Sequence, residues 1–315
     1  MLARHGLAGV FYRLSLEHPG LWPEALQRPL RNNYHSVLPW GDRCGGEVRT
    51  VLEALAEAGI DAIVLKGWAL IPTVYRGDYG QRTYADVDLL VPAQDAARAE
   101  QLVLDLGYES TQEVWPGFSR RYGVSRSYQL PGDPGGFGQA FAVALHWELQ
   151  DTPFYGRRMP TEPMFARARP LQVAGVSALA LGDADCLVYA CGHLALHHEY
   201  DDALFRYYGM AASILQAGSH MDWNAVVTRS QAWRLVLPVQ RVLARLAGLW
   251  LEIVPAQSLK ELARLQPARS ERLVHHVAVA YKDNHSVRAL LAWLTQPGLG
   301  RRLSYPVEKA LPGPA

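Results

Sequence analysis

Cysteine is scarce in this chain, and long apolar runs are missing. Three cysteines, Cys44, Cys186 and Cys191, are too few and too scattered for a disulfide framework. A reducing, cytoplasmic setting is the expectation. No stretch approaches the roughly 20 apolar residues that a membrane-spanning helix requires. The opening Met1-Leu2-Ala3-Arg4-His5-Gly6 has no secretory apolar core. Excess charge of one sign is missing too. A net charge of +1 argues against a broad surface for polyanions. What is present is 49% apolar residues against 19% charged ones, in 315 residues. That balance suits a globular protein with room for two domains, or for one domain with helical additions.

The densest chemistry lies in Ala85-Asp86-Val87-Asp88-Leu89-Leu90-Val91-Pro92. The branched apolar run predicts a buried strand. Side chains alternate along a strand, so Asp86 and Asp88 share a face. Two carboxylates that close repel each other, and a divalent cation relieves the repulsion. Hard oxygen ligands suit Mg²⁺ or Mn²⁺. Upstream, Ile60-Asp61-Ala62-Ile63-Val64-Leu65 predicts a second strand, followed by Lys66-Gly67 and a short helical turn from Trp68 to Tyr75. A strand running into a glycine at a helix start offers backbone N–H groups to an anion, and the lysine adds a point charge. Arg82, four residues before Asp86, adds a planar donor fork for phosphate.

Leu65-Lys66-Gly67, Tyr79-Gly80-Gln81-Arg82 and Asp86-Val87-Asp88-Leu89-Leu90-Val91 together resemble the nucleotidyltransferase fold of the DNA polymerase β superfamily. More narrowly they resemble a bacterial family of uncharacterised nucleotidyltransferases. The resemblance implies a small mixed sheet in an α+β fold. It also implies transfer of a nucleoside monophosphate from an NTP, ATP first among them, to a hydroxyl on a small molecule, peptide or RNA. Asp86 and Asp88 would hold the metals. Lys66, Gly67 and Arg82 would bind the nucleotide. The family's later strand, with an acidic residue two places before His-Trp, matches Ala140–Leu149, where His146-Trp147 stands. His146 would contact the nucleotide or a metal-bound water. The acidic position falls on Ala144, which cannot bind metal. Alternation puts Ala144, His146 and Glu148 on one face, so Glu148 is the substitute candidate for the third carboxylate. Two further readings stay open: a catalytically weakened nucleotide-binding regulator, motivated by Ala144, and a toxin-like enzyme acting on tRNA ends.

The organisation falls into N-terminal helices (1–58), a nucleotidyltransferase core (59–150), a connecting segment (151–182), a helical domain (183–296) and a loose tail (297–315). The clearest early helix is Glu47 to Ala58, with Gly59 as its stop. Asp95 to Leu106 predicts another. Residues 108–138, with Arg120, Arg121, Tyr122, Arg126 and Tyr128, predict a hairpin with a mobile loop. Asp183 is the expected N-cap of a helix carrying His193, His197 and His198. The first two have zinc-site spacing, but no third ligand accompanies them. Leu204-Phe205-Arg206-Tyr207-Tyr208 resembles the Arg-aromatic helix of the same family.

Overall fold

The computed structural model describes residues 5–111, 118–132, 140–150, 152–201, 203–281 and 283–310. Its centre is a mixed sheet of seven strands, β1 (Ile63–Val64), β2 (Asp86–Leu90), β3 (Glu109–Ser110), β4 (Ser125–Gln129), β5 (Ala142–His146), β6 (Arg169–Val173) and β7 (Val176–Ala180). Their order is β3-β4-β5-β2-β1-β7-β6. Strand β2 runs antiparallel to β1 and parallel to β5, with Asp88 beside Ala144 and Leu90 beside His146. The chain is therefore α+β, as its motifs imply.

The two faces of β2 serve different cores. Val87, Leu89 and Val91 pack with Val48, Val51, Leu52 and Leu55 of the Glu24–Glu57 helix. Leu90 faces the other way and joins Leu187, Val188 and Leu194 of the Asp183–His198 helix. Full burial of each such side chain contributes roughly 1.5–3 kcal/mol. This double packing fixes the strand's register, because a slip of one residue would exchange the faces. It also settles where Asp86 and Asp88 point. They share the parity of Leu90, so they face the C-terminal helices.

The long helix starts earlier than its apolar stripe predicts. It runs from Glu24 to Glu57 and contains Pro29, Pro39, Gly41, Gly45 and Gly46. Such residues disfavour helix, and packing overrides them. Gly41 and Gly45 lie so close to Tyr79 that a Cβ would come within 2.7 Å and 2.9 Å of it. Trp40 also donates its indole N–H to the Tyr84 carbonyl at 2.8 Å. The expected stop at Gly59 holds, with φ +68°.

Two expectations need correction. Residues 151–182 are not only a connection: they contribute the β6–β7 hairpin, and β7 pairs with β1 in the same sheet. The segment after 297 is not a loose tail up to residue 310. Gly298–Ala310 is a helix, held by Tyr305, which packs on Phe118 and Tyr122 at ring distances of 6.0 Å and 5.3 Å. Ser304 and Tyr122 hydrogen-bond through their hydroxyls at 2.6 Å. The glycines and prolines of this segment suggested irregularity, but aromatic burial decides the outcome. The expected hairpin is β4–β5, with Ser127 beside Ala144. Most of its connecting loop lies outside the described residues, as do residues 112–117 and the last five.

Candidate active site

Asp88 is the centre of the site. It is buried at 5% exposure and accepts two hydrogen bonds on the same oxygen, Oδ1. Lys66 Nζ donates from 2.7 Å, and His146 Nε2 lies at 2.8 Å. Burial alone would raise this carboxyl, but Lys66 and His146 outweigh it and hold Asp88 well below the usual carboxylate range. Asp86, one pleat earlier on the same face, is exposed. Its carboxyl is pushed up by desolvation and by the neighbouring Asp88 charge.

Lys66 reaches Asp88 from a strained backbone. Its φ is +52°, the left-handed region that non-glycine residues rarely occupy. Burial disfavours its charge, yet the anionic surroundings, Asp88 among them, keep it protonated. Gly67 follows at the start of the Lys66–Leu70 helix. A Cβ here would lie 2.4 Å from Arg82 Nη2, so the missing side chain is the space that the Arg82 guanidinium fills. Arg82 also stacks over Phe205, 5.2 Å from the ring centre.

Lys66, Gly67, Arg82, Asp86 and Asp88 line one cleft of about 690 Å³ between the sheet and the C-terminal helices, with His146 behind Asp88. The far wall carries His193, His197, His198, Phe205 and Arg206. His193 and His198 face each other at 3.2 Å between Nε2 atoms, and His193 stacks on His197 at 4.6 Å. Burial, aided by Lys66, pushes His193 well below the ordinary histidine value. Burial and Arg206 bring His198 down to about 4. Arg206 is itself held by Asp201 at 2.8 Å.

The structure thus brings Lys66, Gly67, Arg82, Asp86, Asp88 and His146 together. It does not bring Glu148. Because β5 runs parallel to β2 with Ala144 beside Asp88, Glu148 lies four residues further along, past the strand end. Two pleats displace it by roughly 13 Å. Its side chain lines a different cavity, together with Arg301. Strand alternation ends with β5 at His146, and the N–H groups of Trp147 and Glu148 both bond the Val124 carbonyl, so alternation fixes neither the direction nor the reach of Glu148. The position beside Asp88 belongs to Ala144, buried at 7% exposure.

Among the described residues, no group of three or more His, Cys, Asp or Glu is arranged to hold a metal ion. The Asp86/Asp88 pair still fits Mg²⁺ or Mn²⁺ chemically. Mg²⁺ commonly takes one or two protein carboxylates and completes its shell with water and substrate phosphates. Reasoning from sequence missed Phe205 and Arg206 as cleft-lining groups. Their signal was the Arg-aromatic run itself.

A carboxylate pair thus stands on a central strand of the α+β sheet, beside a lysine–glycine turn and an arginine. The chain belongs to the family described as uncharacterised nucleotidyltransferase, which matches residues 1–252. No curated protein matches it. Among solved structures, an antigenic nucleotidyltransferase-like protein from Paracoccidioides brasiliensis is similar at 18% identity. That match covers 70% of this chain and 93% of the other, with a TM-score of 0.44. The structure of ANT(2")-Ia in complex with adenylyl-2"-tobramycin is similar at 14% identity. It covers 61% of this chain and 98% of the other, with a TM-score of 0.41. Among the described residues, no helix is long and apolar enough to cross a membrane.

Proposed function

We propose that the chain transfers a nucleoside monophosphate from an NTP, ATP first among them, to a hydroxyl of an acceptor, releasing pyrophosphate. The carrying observation is the shared cleft in which Asp86, Asp88, Lys66 and Arg82 converge. Asp86 and Asp88 would hold Mg²⁺ or Mn²⁺, which, when bound with the triphosphate, neutralises its charge and polarises the α-phosphorus. His146 and Lys66 both bond Oδ1 of Asp88. They fix the rotation of that carboxylate and leave Oδ2 without a hydrogen bond among the described residues. Arg82, stacked on Phe205 and seated on Gly67, presents a rigid guanidinium to the phosphates. Lys66 stands beside it as a second cation. Phosphoryl transfer needs mainly positioning and charge neutralisation, which this set supplies.

The second reading, a nucleotide-binding regulator without turnover, is favoured by one observation: Ala144 stands in register with Asp88. Calorimetry with ATP, in Mg²⁺ and then in EDTA, tests the shared premise. Binding is expected only with the metal, because bare carboxylates repel a triphosphate. Equal affinity in both would sink the metal-bridged site. Pyrophosphate release across a panel of hydroxyl acceptors then separates transferase from regulator.

A further inference from the structure

The cavity that receives Glu148 is a candidate site in its own right. It measures about 330 Å³ and shares no lining residue with the catalytic cleft. It lies beyond the C-terminal ends of β2 and β5, where the chain meets the Gly298–Ala310 helix. Four arginines line it. Arg120 is tied to Glu100 at 3.1 Å, and Arg121 to Glu308 at 3.1 Å. The other two, Arg157 and Arg301, are exposed and make no hydrogen bond or ion pair among the described residues. Glu148 is in the same condition, and burial raises its carboxyl, with Arg301 acting against the rise. Gln296 completes the wall. It is 1% exposed, and its amide Nε2 is buried with no partner. Buried amide donors are normally satisfied. Two exposed guanidiniums and a half-buried carboxylate therefore line one pocket, with the orphaned Gln296 donor in its wall.

We propose that this pocket binds a small zwitterion, a molecule carrying a phosphate or carboxylate together with a primary amine. Guanidinium groups match a planar or tetrahedral anion with paired N–H donors. Glu148 supplies the acceptor that an ammonium needs. A plain polyanion would meet the Glu148 charge, and a plain cation would meet Arg157 and Arg301, so only a ligand with both signs satisfies the whole lining. The volume sits at the small end of ligand pockets, which suits a molecule of amino-acid size. A bound ligand would tie the terminal helix to the strand ends, so occupancy should raise the melting temperature.

The test uses the full chain and matched probes. Phosphoethanolamine and β-alanine carry both groups. Ethyl phosphate and propionate lack the amine, and ethanolamine lacks the anion. Calorimetry and thermal shift are expected to show the zwitterions binding about tenfold or more tighter than their single-charge parents. The phosphate and carboxylate arms show which anion is preferred. Arg157→Gln with Arg301→Gln should weaken every anionic probe about tenfold. Glu148→Gln should erase the preference for the amine while sparing the plain anions. Binding of ATP with Mg²⁺ should be the same in all these variants, since none of the substituted residues lines the cleft. Absence of binding by any probe at millimolar concentration overturns the proposal. So does binding that ignores the amine, or binding that all the variants retain unchanged.

Discussion

One carboxylate oxygen organises the candidate active site at the scale of single residues. Asp88 Oδ1 takes both the Lys66 ammonium and the His146 ring, so a buried anion is compensated before any ligand arrives. Leaving such a charge unpaired is costly, which explains why Lys66 tolerates a left-handed backbone to reach it. Gly67 gives the sharpest single-residue prediction. Its φ permits any side chain, so the constraint is space alone. Gly67→Ala puts a methyl 2.4 Å from the Arg82 guanidinium, which must then leave its seat. Affinity for ATP with Mg²⁺ should fall about ten- to a hundredfold, as it should for Arg82→Ala, given the usual 1.5–3 kcal/mol of a charged hydrogen bond. Urea unfolding should change little beside that loss. A Gly67→Ala protein that binds ATP normally would remove Arg82 from the nucleotide site.

Among the elements, the terminal helix is the instructive case. Gly298–Ala310 contains Pro306 and begins at a glycine with φ +75°, yet its Tyr305 is buried at 7% exposure against Phe118 and Tyr122. Arg121 adds an ion pair to Glu308 at 3.1 Å, which at the surface contributes little. The aromatic contact therefore carries the docking. Tyr305→Ala is expected to cost about 3–5 kcal/mol in urea unfolding, the range of buried aromatic truncations. A cost near zero would mean that the helix does not dock in solution. The helix from Glu24 to Glu57 shows the same hierarchy, with tertiary contacts at Gly41 and Gly45 overriding poor local propensity.

For the molecule as a whole, buried histidines couple folding to pH. His275, on the Arg269–Ala280 helix, is 4% exposed and hydrogen-bonded to the Tyr200 hydroxyl at 2.9 Å. Burial, with Arg241 and His276 nearby, lowers it from 6.5 to about 4. A histidine with a depressed pKa is neutral in the folded chain while the unfolded chain takes up a proton. Its contribution is therefore intact above about pH 6.5 and is lost as pH falls toward 4. The loss approaches about 3 kcal/mol at the lower end. Urea unfolding at pH 7.5 and pH 5 should show the drop, and His275→Gln should flatten it. An identical slope in the variant would assign the acid sensitivity to other groups.

The amino-acid sequence by itself determined what depends on neighbours along the chain. Alternation in Asp86–Leu90 set the shared face of the two carboxylates, and Leu65-Lys66-Gly67 marked the turn beside them. These signals are local, with periods of a few residues, so they survive without knowledge of the fold. Tertiary structure alone decided which groups meet across distance. It put Lys66 and His146 on one oxygen of Asp88, and set His193 and Arg206 on the opposite wall. It also carried Glu148 into a separate cavity, because β5 and its alternation end at His146. Parity fixes direction within a strand, but reach depends on the register between β2 and β5 and on where the C-terminal helices pack. Those are set by the burial of side chains far apart in the chain, such as Leu90 against Leu187 and Leu194.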